Sequence, residues 1–323
     1  MNQFLSRANK RISLGSAAVL LSAASFVSIF LGILRTKLIN ANFNNFESDA
    51  YFAACKLPDF VCFTLASGAL GVAFLPVLSE RLVRNKKSAW ELASYLLNFL
   101  AIISLVASIL LIIFAEPLLK HIVAPGFTPE QLQLSVSIMR IVSVNIFIFA
   151  ISTVLTTTQQ SVGRFFFMAI APIFYNGAII ASIFIFGDTL GIVGLSLGVA
   201  LGAILQLLVV TLGMIGMKFR YQPRIDFKNK SFREVLRILP ARSIDQGVDY
   251  INGIAETRFA SKLNIGSVTN FENALLLQNA PVMLIGTAIS TAAFPRLTDR
   301  LAKGQVEMFR KEFRKVLQTM IWI

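Results

Sequence analysis

The chain has 323 residues, 55% of them hydrophobic and only 15% charged, with a mean hydropathy of +0.70. A soluble domain carries about 25% charged residues, so this composition excludes an ordinary soluble protein and calls for a lipid solvent. The net charge of +13 would suit nucleic acid, but its placement along the chain assigns it to membrane topology instead.

Taken in order, the chain opens with Arg7, Lys10 and Arg11 ahead of an uncharged run over 12–34. That run is longer than a signal-peptide core and long enough to span a bilayer of about 30 Å. Further uncharged windows follow at 60–79, 92–115, 141–163, 165–187, 189–217 and 273–295. A stretch over about 235–262 reads as a span interrupted by charges, and a ninth span begins near Val316. The expected fold is therefore all-α and polytopic, with about eight complete spans and the start of a ninth. Residues 1–217 form a six-helix N-terminal lobe, 218–234 a basic linker, and 235–323 an incomplete C-terminal lobe. Cys55 and Cys62 lie seven residues apart, about 10 Å along a helix, too far for a disulfide. They read as buried thiols.

Alternate connections differ in charge: one set carries 22 Lys and Arg, the other seven. The positive-inside rule then predicts a cytoplasmic N-terminus and a cytoplasmic 218–237 loop. Pro76-Val77-Leu78-Ser79-Glu80-Arg81-Leu82 also matches Pro295-Arg296-Leu297-Thr298-Asp299-Arg300-Leu301. Six spans separate the copies, so they share an orientation, as in transporters built from parallel repeats.

The interrupted span holds most of the chemistry. At 100° per residue, Arg242, Asp245, Asp249 and Glu256 fall within one sector of about 60°, flanked by Asn252. Ionised groups at mid-membrane cost about 2.5–3.5 kcal/mol each on the mildest scale. Such a stripe either faces a water-filled cavity, where it binds ions or charged headgroups, or locks helices together as an internal network. Arg35, at the outer end of the first span, is a second cation near membrane depth. Asp49 and Lys56 frame the start of the second span, as gating or structural charges or as interfacial loop charges. Enzymatic chemistry finds no support: the single His121 sits at a span end, and neither a phosphate-binding G-x-x-x-x-G-K-[ST] loop nor a G-x-S-x-G elbow is present. No metal-ligand pattern is present either.

Several motifs carry a family resemblance: Gly32-Ile33-Leu34-Arg35, Asp49-Ala50-Tyr51-Phe52-Ala53-Ala54-Cys55-Lys56-Leu57-Pro58, Gly68-Ala69-Leu70-Gly71, Ala124-Pro125-Gly126-Phe127, and Phe259-Ala260-Ser261 before Gly266-Ser267-Val268. In these the chain resembles the MurJ/MviN family of lipid II flippases, within the multidrug/oligosaccharidyl-lipid/polysaccharide exporter superfamily. The resemblance implies a two-lobed, fourteen-helix protein of the bacterial plasma membrane. It would flip an undecaprenyl-pyrophosphate-linked peptidoglycan precursor to the outer leaflet by alternating access. Arg35 maps to a pyrophosphate-binding arginine, with Arg242 as a further candidate, and Glu256 maps to an acidic position that binds sodium in some members. Sodium or proton coupling is thus allowed and no other cofactor is implied. The implied partners are the lipid-linked glycan and membrane lipids, with cell-wall synthesis proteins as candidates, for a monomeric transporter. The chain departs from the family at Thr36, where an acid is usual, and at Ile29, Cys62 and Leu276, where members carry arginines. Two alternatives stay open: a cation-coupled multidrug antiporter of the same superfamily, and a non-transporting scaffold for cell-wall assembly.

Overall fold

The computed structural model describes residue 9, residues 14–282, residues 286, 289, 293, 297, 300 and 301, and residues 304–322. For residues 14, 15, 66–72, 240–246 and 320 only the backbone is described. All regular elements among the described residues are helical: α1 Leu14–Asn42, α2 Asn45–Cys62, α3 Gly68–Arg84, α4 Lys86–Ile113, α5 Ala115–Leu118, α6 Pro129–Val142, α7 Val144–Ser161, α8 Phe166–Met214, α9 Lys230–Ala260, α10 Ser267–Pro281 and α11 Val306–Trp322. Wide π turns at Phe63–Ser67 and Leu119–Val123 join α2 to α3 and extend α5.

Capping side chains, more than hydropathy, set the helix starts. Asn44 and Glu47 form a reciprocal capping box at the head of α2. The helix therefore begins well before the apolar window at 60, and Asp49, Lys56 and Asp59 ride inside it rather than in a loop. Asn85 caps α4, Thr128 caps α6 with Pro129 in its first turn, and Asn229 caps α9. That last cap starts α9 at Lys230, five residues inside the stretch expected to be linker. The helix expected to begin near Val316 starts at Val306, so Arg310, Lys311, Arg314 and Lys315 lie along it. The second copy of the repeat, over 295–301, lies mostly outside the described residues.

Among the described residues, four helical stretches are long and apolar enough to cross a membrane: Ser16–Asn42, Lys86–Ile113, Pro129–Ser161 and Phe166–Met214. The last, at 49 residues, would reach about 74 Å as a straight rod, more than twice a hydrocarbon layer. Gly191, at φ 55° and ψ −143°, folds it back into two spans. The halves pack through Gly194, Gly198 and Gly202, spaced four apart on one face. A Cβ at Gly198 would lie 1.8 Å from Ser182 Oγ, and one at Gly202 would lie 2.9 Å from Tyr175 O. Small residues at this spacing let helix backbones approach closely in lipid. Phe30, Ile102, Leu105, Phe184 and Leu208 are exposed, as lipid-facing positions are.

Three apolar cores stabilise the bundle among the described residues, the smallest around Phe167, Ala171, Val209 and Val210, and the two larger ones position the site. One joins Ile39, Tyr51, Leu57, Met139, Ile179 and Leu195. The other joins Phe74 and Leu78 of α3, Leu92 and Leu96 of α4, and Phe232, Val235 and Leu239 of α9. In this way α9 lies along the α2–α3 rod from one end to the other.

Candidate functional site

Arg35 lies seven residues before the end of α1, about 10 Å along its axis. It lines a cavity of about 390 Å³ with Asp59 of α2, Asn145 of α7, Tyr175 of α8, and Glu272 and Asn279 of α10. The guanidinium is oriented by a neutral amide. Its Nη1 donates to Asn176 Oδ1 at 3.2 Å, and Asn176 is itself fixed by donating to Ser28 Oγ and to Pro172 O, both at 3.2 Å. Arg35 Nε is buried without a hydrogen-bond partner, and so is Asn145 Oδ1. Orphaned buried polar atoms are rare in native proteins and call for an explanation. A planar, permanently charged fork with donors to spare suits phosphate or carboxylate.

Glu272 enters the cavity already engaged by Lys56, in an ion pair with both side chains only about one-fifth exposed (17% and 21%). This pair opens a seam of polar contacts that closes the end of the bundle beyond Arg35. Asp49, 2% exposed, accepts from Gly266 N at 2.6 Å, Thr269 N at 2.7 Å and Thr269 Oγ1 at 2.6 Å. A carboxylate from α2 therefore caps the first turn of α10, where the helix dipole favours negative charge. Arg258, in the last turn of α9, donates to the carbonyls of His121 and Ile122 at the end of the second π turn. The A-P-G-F loop lies against the end of α9 so closely that a Cβ on Gly126 would sit 2.2 Å from Ser261 O and 2.6 Å from Lys262 Cα. Hydrogen bonds to charged groups stabilise by about 1.5–3 kcal/mol each, so the seam is a latch of several kcal/mol.

The structure thus brings Arg35, Asp49 and Lys56 to one end of the molecule. It does not bring Asp249, Asn252 or Glu256 to the Arg35 cavity. All three are exposed, on a face of α9 turned roughly 140° from the one that meets α2. The reason lies in small and aromatic residues. Gly247 lies against Phe60 and Thr64, Tyr250 stacks on Phe63 with ring centroids 4.7 Å apart, and Thr257 is buried. These fix the packing face and turn the carboxylates outward. The side chains of Arg242 and Asp245 lie outside the described residues. Of the family-departing positions, Thr36 is buried and bonds back to Gly32 O at 3.2 Å, Cys62 sits in the same apolar core as Tyr51 and Leu57, and Leu276 lines the cavity as an apolar wall. Both cysteines are free thiols.

Sequence reasoning missed Asp59, Asn145, Asn176 and Glu272. Asp59 carried a signal, standing three residues after Lys56 on the same helix face. Asn145 carried none, being a single amide inside an apolar run, and Asn176 was read only as the end of the family motif Ala171-Pro172-Ile173-Phe174-Tyr175-Asn176, with no role for its side chain.

Residues 39–323 match the family model described as lipid II flippase MurJ. A probable lipid II flippase MurJ of Buchnera aphidicola subsp. Acyrthosiphon pisum is 28% identical over 302 residues, covering 92% of this chain and 58% of that protein. A solved lipid II flippase MurJ in an inward closed conformation superposes with a TM-score of 0.73 at 25% identity, over 87% of this chain and 59% of that one. An inward-facing multidrug resistance MATE transporter of the MOP superfamily gives a TM-score of 0.68 at 16% identity, over 95% of this chain and 67% of that one. That likeness concerns the fold alone. The chain thus spans a little under three-fifths of the Buchnera relative and of the solved flippase.

Proposed function

Since this chain belongs to the MurJ family of lipid II flippases, we propose that it moves an undecaprenyl-pyrophosphate-linked peptidoglycan precursor across the bacterial plasma membrane by alternating access. One observation carries the reading. Arg35 presents a guanidinium with an unpartnered buried Nε in a cavity between α1, α2, α8 and α10, directly beneath a polar latch. The pyrophosphate of the cargo supplies the acceptors that this cavity leaves open. With the N-terminus in the cytoplasm, as the distribution of Lys and Arg supports, the latch closes the outer face and the conformation is outward-shut. A cell-negative potential favours outward movement of an anion by about 2.3 kcal/mol per charge per 100 mV, which supplies a driving force without nucleotide hydrolysis. Coupling to sodium or protons is assigned to Asp249 and Glu256, whose side chains share the open face of α9.

The test is complementation of a flippase-depleted strain by the full-length gene. Arg35→Ala is expected to abolish growth while leaving the protein at wild-type levels in the membrane, and Arg35→Lys to restore it in part. Full growth with Arg35→Ala would overturn the assignment.

A further inference from the structure

The Arg35 cavity holds acceptors that a bare anion leaves unserved. Arg35, Asp59 and Glu272 are the charged residues lining it among the described residues. Glu272 is neutralised by Lys56, which leaves one guanidinium facing one carboxylate. Asp59 is exposed on the cavity wall and enters no hydrogen bond or ion pair among the described residues. Asn145, only 4% exposed, lines the same cavity from α7 and leaves its Oδ1 buried without a donor. An ionised pyrophosphate consists of acceptors too. It satisfies the guanidinium of Arg35 but opposes the oxygens of Asp59 and Asn145, and like charges away from bulk water repel strongly.

A cation between them removes the conflict. Carboxylate and amide oxygens suit a hard metal ion. Mg²⁺ usually keeps several waters and is held by one or two carboxylates together with substrate phosphates, rather than by an all-protein cage. No three His, Cys, Asp or Glu side chains among the described residues are placed to hold a metal alone, so phosphate oxygens must complete the coordination sphere. We propose that the cargo is taken up as the Mg²⁺ complex of its pyrophosphate, with Arg35 on the phosphate oxygens and Asp59 and Asn145 Oδ1 on the metal or its waters. The inference rests on the transport reading and adds to it the ionic form of the substrate. Carboxylates on the precursor's peptide keep the whole cargo anionic, so the membrane potential still favours its outward movement.

The experiment measures binding of undecaprenyl pyrophosphate, which carries no sugar or peptide, to the full-length protein in detergent by microscale thermophoresis, with millimolar Mg²⁺ and with EDTA at matched ionic strength. The wild type is expected to bind about tenfold more tightly with Mg²⁺. Asp59→Asn removes the repelling charge and the carboxylate for the metal together. It should bind the metal-free pyrophosphate more tightly than the wild type does and gain nothing from Mg²⁺, whereas a folding defect would weaken both forms. Asp59→Glu should keep the Mg²⁺ effect. Equal binding by the wild type with and without Mg²⁺, or an undiminished Mg²⁺ effect in Asp59→Asn, overturns the metal and leaves the transport reading standing. Arg35→Ala should lose binding under both conditions, and unchanged binding by that variant overturns both.

Discussion

Asp49 gathers two backbone N–H groups and one hydroxyl of α10 onto a single buried carboxylate. Asp49→Asn keeps the shape but removes the charge and leaves one donor without an acceptor. The latch should weaken by about 2–3 kcal/mol, raising the open fraction some 30- to 150-fold. Cys55, which lines the cavity below, is a built-in reporter: in a Cys62→Ser background its labelling by an impermeant maleimide should accelerate, and an unchanged rate would refute the latch. Gly126→Ala acts at the same seam by another route, because its Cβ meets backbone atoms of Ser261 and Lys262 that cannot rotate away. Overpacking of about 1–3 kcal/mol should lower the melting temperature and speed the same labelling. Arg35 and Asp49 were legible because each breaks an apolar pattern with a charge. Asn145 and Asn176 were not, since a lone amide within a hydrophobic run has no direction until its helix is placed.

At the scale of elements, the helical hairpin within α8 depends on what its glycines omit. Gly198→Leu must displace Ser182 from a contact already closer than a methyl group allows, so the two spans should separate. A fall in melting temperature with loss of folded yield on gel filtration would be the sign. A stable, monodisperse variant would count against the close approach. The glycines at four-residue spacing were readable in the sequence, but a hydropathy window records how apolar a stretch is and not which side it packs. The same blindness explains α9. Asp249 and Glu256 fall on one face by periodicity alone, yet the direction of that face was decided by Gly247, Tyr250 and Thr257 on the opposite side. The start of α2 was legible too, in Asn44 and Glu47, but the charge-free window drew the eye to residue 60.

At the scale of the molecule, Lys56 and Glu272 link the α2–α3 rod to α10, so their charges must be matched across the seam. Lys56→Glu alone sets two carboxylates against each other and should open the latch end and impair growth in the depleted strain. Adding Glu272→Lys should recover both Cys55 protection and growth in large part, and failure of the double exchange to recover either would show that the pair is incidental. The seam as a whole is joined by carboxylate, guanidinium, ammonium and amide groups, each of which water can serve almost as well. Every bond surrendered on parting is therefore replaced by one to solvent, so the several kcal/mol that hold the seam are only a fraction of its gross bond energy. Two greasy surfaces in the same place would resist wetting and cling. A doorway faced with polar groups can instead be shut firmly and still reopen on every cycle.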